Sequence, residues 1–196
     1  MKSLRFAVAL AVALATPAFS QAPAPADPLE GAMNAAHHYF TDIELTDQDG
    51  RKHRLYTDLL HDKTVVINAF FASCQGVCPV LSAKMAKIQD YLGEKLGKDV
   101  VMLSITVDPK ADTPEVLHQY AARWNARPGW LFLTGPPDNV STALKKLGQY
   151  VENKEAHTTI VIVGNDKTGL WKKANGIATP QELVAIVDSV VNDKGE

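Results

Sequence analysis

The amino-acid sequence predicts an α/β fold in which helices flank a mixed central sheet. Residues 64–71 and 100–107 are short runs rich in β-branched and aromatic side chains, which is typical of buried strands. Each run is followed by a segment with the apolar spacing of a helix, and this alternation favours a sheet that is covered on both faces. Later in the chain, residues 158–163 and 170–173 frame a turn, so one pair of neighbouring strands should be antiparallel. The sheet should therefore be mixed.

Two elements surround the first buried strand. Residues 40–45 and 52–56 flank Asp49-Gly50 and predict an N-terminal β-hairpin extension ahead of the sheet. After the strand, a helix is expected to continue to about residue 96. Its apolar face should carry Val80, Leu81, Met85, Ile88 and Leu92.

The second half of the chain completes the pattern. A helix beginning at Pro114, a strand over residues 130–133 and a helix over residues 137–150 follow the second buried strand. The last helix begins at Thr179, whose spacing to Glu182 is that of a capping box. Its inward side chains should be Leu183, Ile186, Val187 and Val190. This order of elements is that of a thioredoxin-like fold with an N-terminal extension.

The first 20 residues have the features of a secretory signal peptide. Lys2 and Arg5 precede an apolar run over residues 6–15, and Ala18-Phe19-Ser20 offers small residues at the cleavage positions. The apolar run is shorter than the about 20 residues that a membrane-spanning helix needs. An uncleaved membrane anchor stays as the alternative. We expect a periplasmic or otherwise extracytoplasmic protein with no stable membrane insertion after cleavage.

The mature chain should be a short spacer followed by one domain. Residues 21–36 are rich in Pro and Ala and are expected to be extended, and residues 37–194 should form a single domain, which we expect to be monomeric. The formal net charge is −2 for the whole chain and −4 without the leader. Because phosphate binding needs clustered Lys and Arg, this composition argues against a nucleic-acid partner.

Both cysteines of the chain lie at the junction between the first buried strand and the first helix. As neighbours on a first helical turn, Cys74 and Cys78 would have Cα atoms about 6 Å apart, within disulfide range. A helix N-terminus stabilises a thiolate, which is both a nucleophile and a metal ligand. The pair suits dithiol redox chemistry or capture of a soft metal. A purely structural disulfide is a third alternative, although so short a loop gains only about 2 kcal/mol.

One of the six histidines stands out by its position. His157 immediately precedes an apolar strand, and in a thioredoxin-like fold the loop before that strand packs against the start of the cysteine-bearing helix. Two thiolates and one imidazole form a soft set of low coordination number that suits copper, whereas zinc would normally take a fourth ligand. The other histidines have no partner at ligand spacing in the sequence: His37, His38, His53, His61 and His118.

At this point the chain resembles the Sco/SenC family of copper-binding proteins. The matching segments run in order from about residue 40 to residue 191. They are Phe70-Phe71, Cys74-x-x-x-Cys78-Pro79, the strand end at residues 104–109, Asp112-Thr113-Pro114, residues 130–135, and His157. The chain departs from the family's usual pattern at Gln75-Gly76, where relatives carry Pro-Asp, and at Ala156, where they carry aspartate.

The resemblance implies a role for each matching residue. Cys74, Cys78 and His157 correspond to the family's copper ligands, for Cu(I) and Cu(II), and Asp108 corresponds to an acidic residue near the site. Asp108 can equally be a turn and helix-entry residue before Pro109. The implied function is a copper metallochaperone that delivers copper to a copper-accepting protein such as a cytochrome c oxidase subunit.

The alternative function is a periplasmic thiol:disulfide oxidoreductase that uses Cys74 and Cys78. The two hypotheses differ in what they require of His157, because copper binding needs the imidazole and dithiol exchange needs only a reactive thiolate. A peroxide-reducing enzyme fits poorly, since the Pro/Thr framework expected upstream of Cys74 is missing.

Overall fold

The computed structural model describes residues 35–195. The predicted signal peptide and nearly all of the predicted spacer lie outside the described residues. Residues 35–40 are helical. The strands are β1 (Glu44–Thr46), β2 (Lys52–Arg54), β3 (Thr64–Phe70), β4 (Val100–Thr106), β5 (Trp130–Leu133), β6 (Ile160–Asn165) and β7 (Leu170–Asn175). The helices are α1 (Val77–Leu92), α2 (Pro114–Arg123), α3 (Pro137–Lys146) and α4 (Pro180–Val191). Single helical turns cover Leu55–Leu60, Gly93–Lys95 and Lys154–Ala156.

The central sheet has five strands in the order β5-β4-β3-β6-β7. Strands β3, β4 and β5 are parallel, while β6 is antiparallel to β3 and β7 is antiparallel to β6. The register pairs Asn68 with Val161 and Thr64 with Asn165, so β6 begins where β3 ends. The predicted mixed α/β architecture is confirmed.

Both faces of the sheet are buried, because successive side chains of a strand point to opposite faces. All seven residues of β3 and all seven of β4 are buried. One face packs against α1, α2 and α4, and the other packs against α3 and the turn Leu55–Leu60. A rigid, fully covered strand thus leads directly into the cysteine-bearing loop.

Strands β1 and β2 form a separate antiparallel pair that is shorter than the hairpin expected from the sequence. Gly50, in the connecting turn, has a φ of 78°, a left-handed conformation that glycine adopts without strain. Thr46 also exchanges backbone hydrogen bonds with Thr134, which joins this pair to the end of β5.

The helices differ from the sequence-based expectations in three places. Helix α1 begins at Val77, so Cys74 lies in the preceding loop and not on the first helical turn. Val80 was predicted on the buried face, but it is 58% exposed, because it lies more than a quarter of a turn away from the inward-facing Leu81 and Met85. Helix α3 ends at Lys146 and not at residue 150, because Gly148 takes a left-handed φ of 66° just after it. None of the helices within residues 35–195 has the length and hydrophobicity of a membrane-spanning segment.

The capping box predicted at Thr179 and Glu182 is present at the start of α4, and its contribution to stability can be tested. The Thr179 hydroxyl accepts a bond from the Glu182 backbone N–H, and the Glu182 carboxylate accepts from the Thr179 N–H. We expect Thr179→Ala to lower the free energy of unfolding by about 1 kcal/mol, measured by urea denaturation. Ser141→Ala is the matched control: Ser141 bonds within α3 and caps no helix end, so its loss should change stability by less than half as much. Equal effects of the two changes would contradict the capping assignment.

Candidate metal centre

The cysteine loop leaves the carboxyl end of β3 and enters α1 after residue 76. Cys74 is partly buried in this loop, and its backbone N–H donates to the Phe71 carbonyl over 3.2 Å. Cys78 lies in the first turn of α1 and is only 1% exposed. The two thiols are both free, and they differ in accessibility.

His157 reaches the cysteines through the topology of the sheet. It follows the helical turn Lys154–Ala156 and precedes β6. Because β6 runs antiparallel to β3, the segment before β6 lies next to the loop after β3. The His157 Nε2 atom is 3.1 Å from the Cys78 Sγ atom. One donor atom each from Cys74, Cys78 and His157 lies within 4.8 Å of the others.

A backbone contact orients the imidazole of His157. Its Nδ1 atom is 2.8 Å from the Lys154 carbonyl oxygen. A carbonyl can only accept a hydrogen bond, so Nδ1 carries the hydrogen and Nε2 keeps its lone pair toward Cys78. This is the arrangement in which a second contact sets the tautomer of a metal-binding histidine.

Phe71 packs against the same imidazole. Its ring meets the His157 ring edge to face, with centroids 5.2 Å apart and planes at 82°. The Lys154 ammonium lies 5.2 Å from the centroid of the Phe71 ring, which places a cation over an aromatic face. The ring of His157 is therefore held by a hydrogen bond on one side and by aromatic packing on the other.

Asp108 contacts this group only indirectly. Its carboxylate forms an ion pair with the Lys154 ammonium at 2.6 Å, and this bond raises the pKa of Lys154. Lys154 also supplies the carbonyl that orients His157. Asp108 thus positions the turn that carries Lys154, which sequence reasoning did not identify because the two residues are 46 positions apart.

Like Lys154, Asp112 supports the site although the sequence did not single it out. In the sequence it stood only within the matching segment Asp112-Thr113-Pro114, whereas in the structure Thr113 caps α2 and Asp112 is buried, with 1% exposure. Its carboxylate accepts bonds from the Thr106 hydroxyl and from the Ala72 backbone N–H. Burial raises the pKa of Asp112. Asp112 thus connects the beginning of the cysteine loop to the end of β4. The signal in the sequence that could have identified this role is a carboxylate directly before the Thr-Pro start of a helix.

Burial, together with the neighbouring Cys74 thiol, raises the pKa of the Cys78 thiol to about 12. Without a metal, this thiol is protonated at neutral pH and donates to the His157 Nε2 atom. A bound cation would take the place of the proton, so metal binding should release a proton to solvent. Two sulfurs and one imidazole nitrogen at these separations fit a copper site.

The fold and this group define a thioredoxin-like domain with a site for a soft metal, made of two thiols and one imidazole. The model of the SCO1/SenC family matches residues 31–192. The chain belongs to the SCO1/SenC family.

Individual relatives agree with this assignment. An SCO2-like protein of Rickettsia typhi is 33% identical over 128 residues, covering 62% of this chain and 59% of that protein. The chain thus spans about three fifths of the length of this relative. Among solved structures, yeast Sco1 with copper bound has a TM-score of 0.64 at 25% identity, covering 78% of this chain and 87% of that one. BsSco, described as a member of the Sco family of cytochrome c oxidase assembly proteins with a disulfide switch, has a TM-score of 0.63 at 26% identity, covering 77% and 92%.

The unequal burial of the two thiols predicts unequal reactivity. In metal-free, reduced protein near neutral pH, iodoacetamide should modify Cys74 at least about tenfold faster than Cys78, because the thiolate is the nucleophile and Cys78 is buried with a raised pKa. The rates are read from the single variants Cys78→Ser and Cys74→Ser by mass spectrometry. In guanidinium chloride the two rates should converge, and equal rates in the folded protein would contradict the described burial.

Proposed function

We propose that this protein is an extracytoplasmic copper metallochaperone that holds copper through Cys74, Cys78 and His157 and passes it to a copper-accepting protein. The observation that most supports this proposal is that two sulfur atoms and one oriented imidazole nitrogen lie within 4.8 Å of one another. Copper is the cargo of the protein. When bound, it accepts electron pairs from these three donors.

The donor set favours copper over zinc. Thiolate ligands suit Cu(I), and imidazole serves both Cu(I) and Cu(II). A structural zinc site takes four protein ligands, whereas among residues 35–195 this cluster of potential ligands has three members. Three donors also leave copper open to a ligand from a recipient, which transfer requires.

The surroundings of the site support docking of a recipient. Val77 and Val80, beside Cys78 in the first turn of α1, are 46% and 58% exposed. Exposed apolar side chains next to a partly accessible Cys74 offer a surface against which a partner can exclude water. A donor group from the recipient would approach from the Cys74 side, since Cys78 is covered. Copper would then leave Cys78 last.

The relatives support copper as the cargo and an oxidase as a recipient. Yeast Sco1 has been crystallised with copper bound, and BsSco belongs to a family of cytochrome c oxidase assembly proteins by its description. For this chain we propose a copper site such as that of a cytochrome c oxidase subunit as the destination. The leader over residues 1–20 supports a periplasmic location.

The second candidate function is thiol:disulfide exchange by Cys74 and Cys78. Two thiols would become one disulfide, and the two electrons and two protons would reduce a substrate disulfide to two thiols. The free state of both cysteines and the disulfide switch described for BsSco favour this alternative. It assigns no essential role to the imidazole of His157.

Replacing His157 separates the two functions. His157→Ala removes one ligand and leaves both sulfurs, so Cu(I) affinity should fall modestly while Cu(II) affinity falls by at least about tenfold, because Cu(II) prefers nitrogen donors. The affinities are measured by competition titration with chelators, and disulfide reduction is assayed in parallel. His118→Ala, at an exposed histidine outside the site, is the matched control and should change neither. Unchanged copper affinities with retained disulfide reduction would contradict the chaperone function and favour the oxidoreductase.

Oxidation of the cysteine pair should abolish Cu(I) binding. We predict that Cys74 and Cys78 form a reversible disulfide, which consumes both thiolates. Oxidised protein, freed of reagent, should bind no Cu(I) in a spectrophotometric competition, and reduction should restore one equivalent. Equal binding by the oxidised and reduced forms would show that copper binds elsewhere on the chain.

A further inference from the structure

A second cluster of potential ligands lies at the opposite end of the sheet. His61 and Asp62 follow the turn Leu55–Leu60 and precede β3, and Asp166 directly follows β6. One donor atom from each lies within 4.8 Å of the others. Spacing along the sequence does not reveal this cluster, because the antiparallel pairing of β3 with β6 brings in the Asp166 carboxylate from far along the chain.

The contacts of His61 are those of an incomplete site. Its Nδ1 atom is 3.5 Å from the Asp166 Oδ2 atom, and its Nε2 atom is 3.6 Å from the Asp62 Oδ2 atom. Both separations exceed the 2.7–3.2 Å of an N–H···O hydrogen bond. The Nδ1 atom is buried and has no hydrogen-bond partner among the described residues. Because buried polar atoms are normally paired, the unpaired Nδ1 atom of His61 is a candidate to bind a ligand.

Asp166 is held in place independently of His61. Its Oδ2 atom accepts bonds from the Asp62 backbone N–H at 3.0 Å and from the Tyr56 hydroxyl at 3.3 Å. These two bonds occupy both lone pairs of that oxygen, which leaves Oδ1 free for another partner. The Tyr56 ring also packs against the His61 ring, with centroids 5.4 Å apart. Two of the three ligands are therefore oriented before any ion arrives.

The degrees of exposure suit an ion that enters from solvent. The side chain of Asp166 is 7% exposed, that of His61 is 31% exposed, and that of Asp62 is 64% exposed. The buried carboxylate of Asp166 lies at the inner side of the cluster, and the exposed carboxylate of Asp62 lies at its solvent side. An ion bound at about 2.0–2.2 Å from tetrahedral ligands spaces them by roughly 3.3 Å, so small side-chain rotations would close the site.

We propose that His61, Asp62 and Asp166 form a binding site for a divalent transition metal ion, specifically Zn²⁺, with water in the remaining position. One imidazole nitrogen with carboxylate oxygens is a set that Zn²⁺ accepts, and Zn²⁺ imposes no geometric preference of its own on an irregular cluster. The set contains no sulfur, so it does not select Cu(I). This site is independent of the cysteine group, because the seven residues of β3 separate the two by roughly 20 Å.

The test uses the full mature chain carrying Cys74→Ser and Cys78→Ser, which removes the sulfur ligands. After treatment with a chelator and dialysis, this protein should bind one equivalent of Zn²⁺ in equilibrium dialysis, and Zn²⁺ should raise its thermal unfolding temperature. Adding His61→Ala should weaken binding by at least about tenfold and remove the thermal shift. Adding Asp62→Asn should also weaken binding. Asn tolerates the left-handed φ of 58° at this exposed position, so the fold should persist.

Two matched controls decide the assignment. His118→Ala removes an exposed histidine that is paired with a single carboxylate, Asp49, and should leave Zn²⁺ binding unchanged. His157→Ala should also leave it unchanged. The proposal is overturned if the protein without cysteines binds no stoichiometric Zn²⁺, or if binding survives His61→Ala in a chain whose circular dichroism is native. Loss of binding with His157→Ala would also overturn it.

Discussion

The antiparallel pairing of β6 with β3 is the constraint on which the rest of the structure depends. Strand β3 is paired in parallel with β4 on one side and antiparallel with β6 on the other. Antiparallel pairing puts the start of β6 beside the end of β3, so His157 meets the cysteine loop. It also puts the end of β6 beside the start of β3, so Asp166 meets His61. A parallel β6 would have placed His157 at the far end of the sheet from the cysteines.

At the cysteine end, contacts from neighbouring residues orient the donor atoms of the proposed copper site. The Lys154 carbonyl fixes the tautomer of His157, and the ring of Phe71 limits its rotation. Asp112 fastens the loop from the other side by accepting the Ala72 N–H. Ordering these groups in advance lowers the conformational entropy lost on metal binding.

Local patterns predicted much of the fold and pointed to Cys74 and Cys78 as a candidate site. The strand runs, the Thr179 capping box and the Cys74/Cys78 pair are encoded within a few residues, and each could be recognised without tertiary information. The wrong assignments concern helix ends and one helix face: Cys74 falls outside α1, Val80 faces solvent, and α3 ends before Gly148.

The features that the sequence did not predict are long-range contacts between ordinary residues. Lys154 and Asp108 form an ion pair across 46 positions, and neither belongs to a recognisable motif. His61 has Asp62 beside it in the sequence but meets Asp166 only when β6 pairs with β3. Periodicity and spacing report local structure, whereas these contacts depend on strand order and register.

The central claim is that an oriented imidazole completes a copper site with two sulfurs. X-ray absorption at the copper edge of Cu(I)-loaded protein tests it most directly, because sulfur and nitrogen ligands scatter differently. The account predicts two sulfur ligands and one nitrogen ligand in the wild-type protein, with the nitrogen absent from His157→Ala. Coordination by sulfur alone in the wild-type protein, indistinguishable from that of the variant, would contradict it.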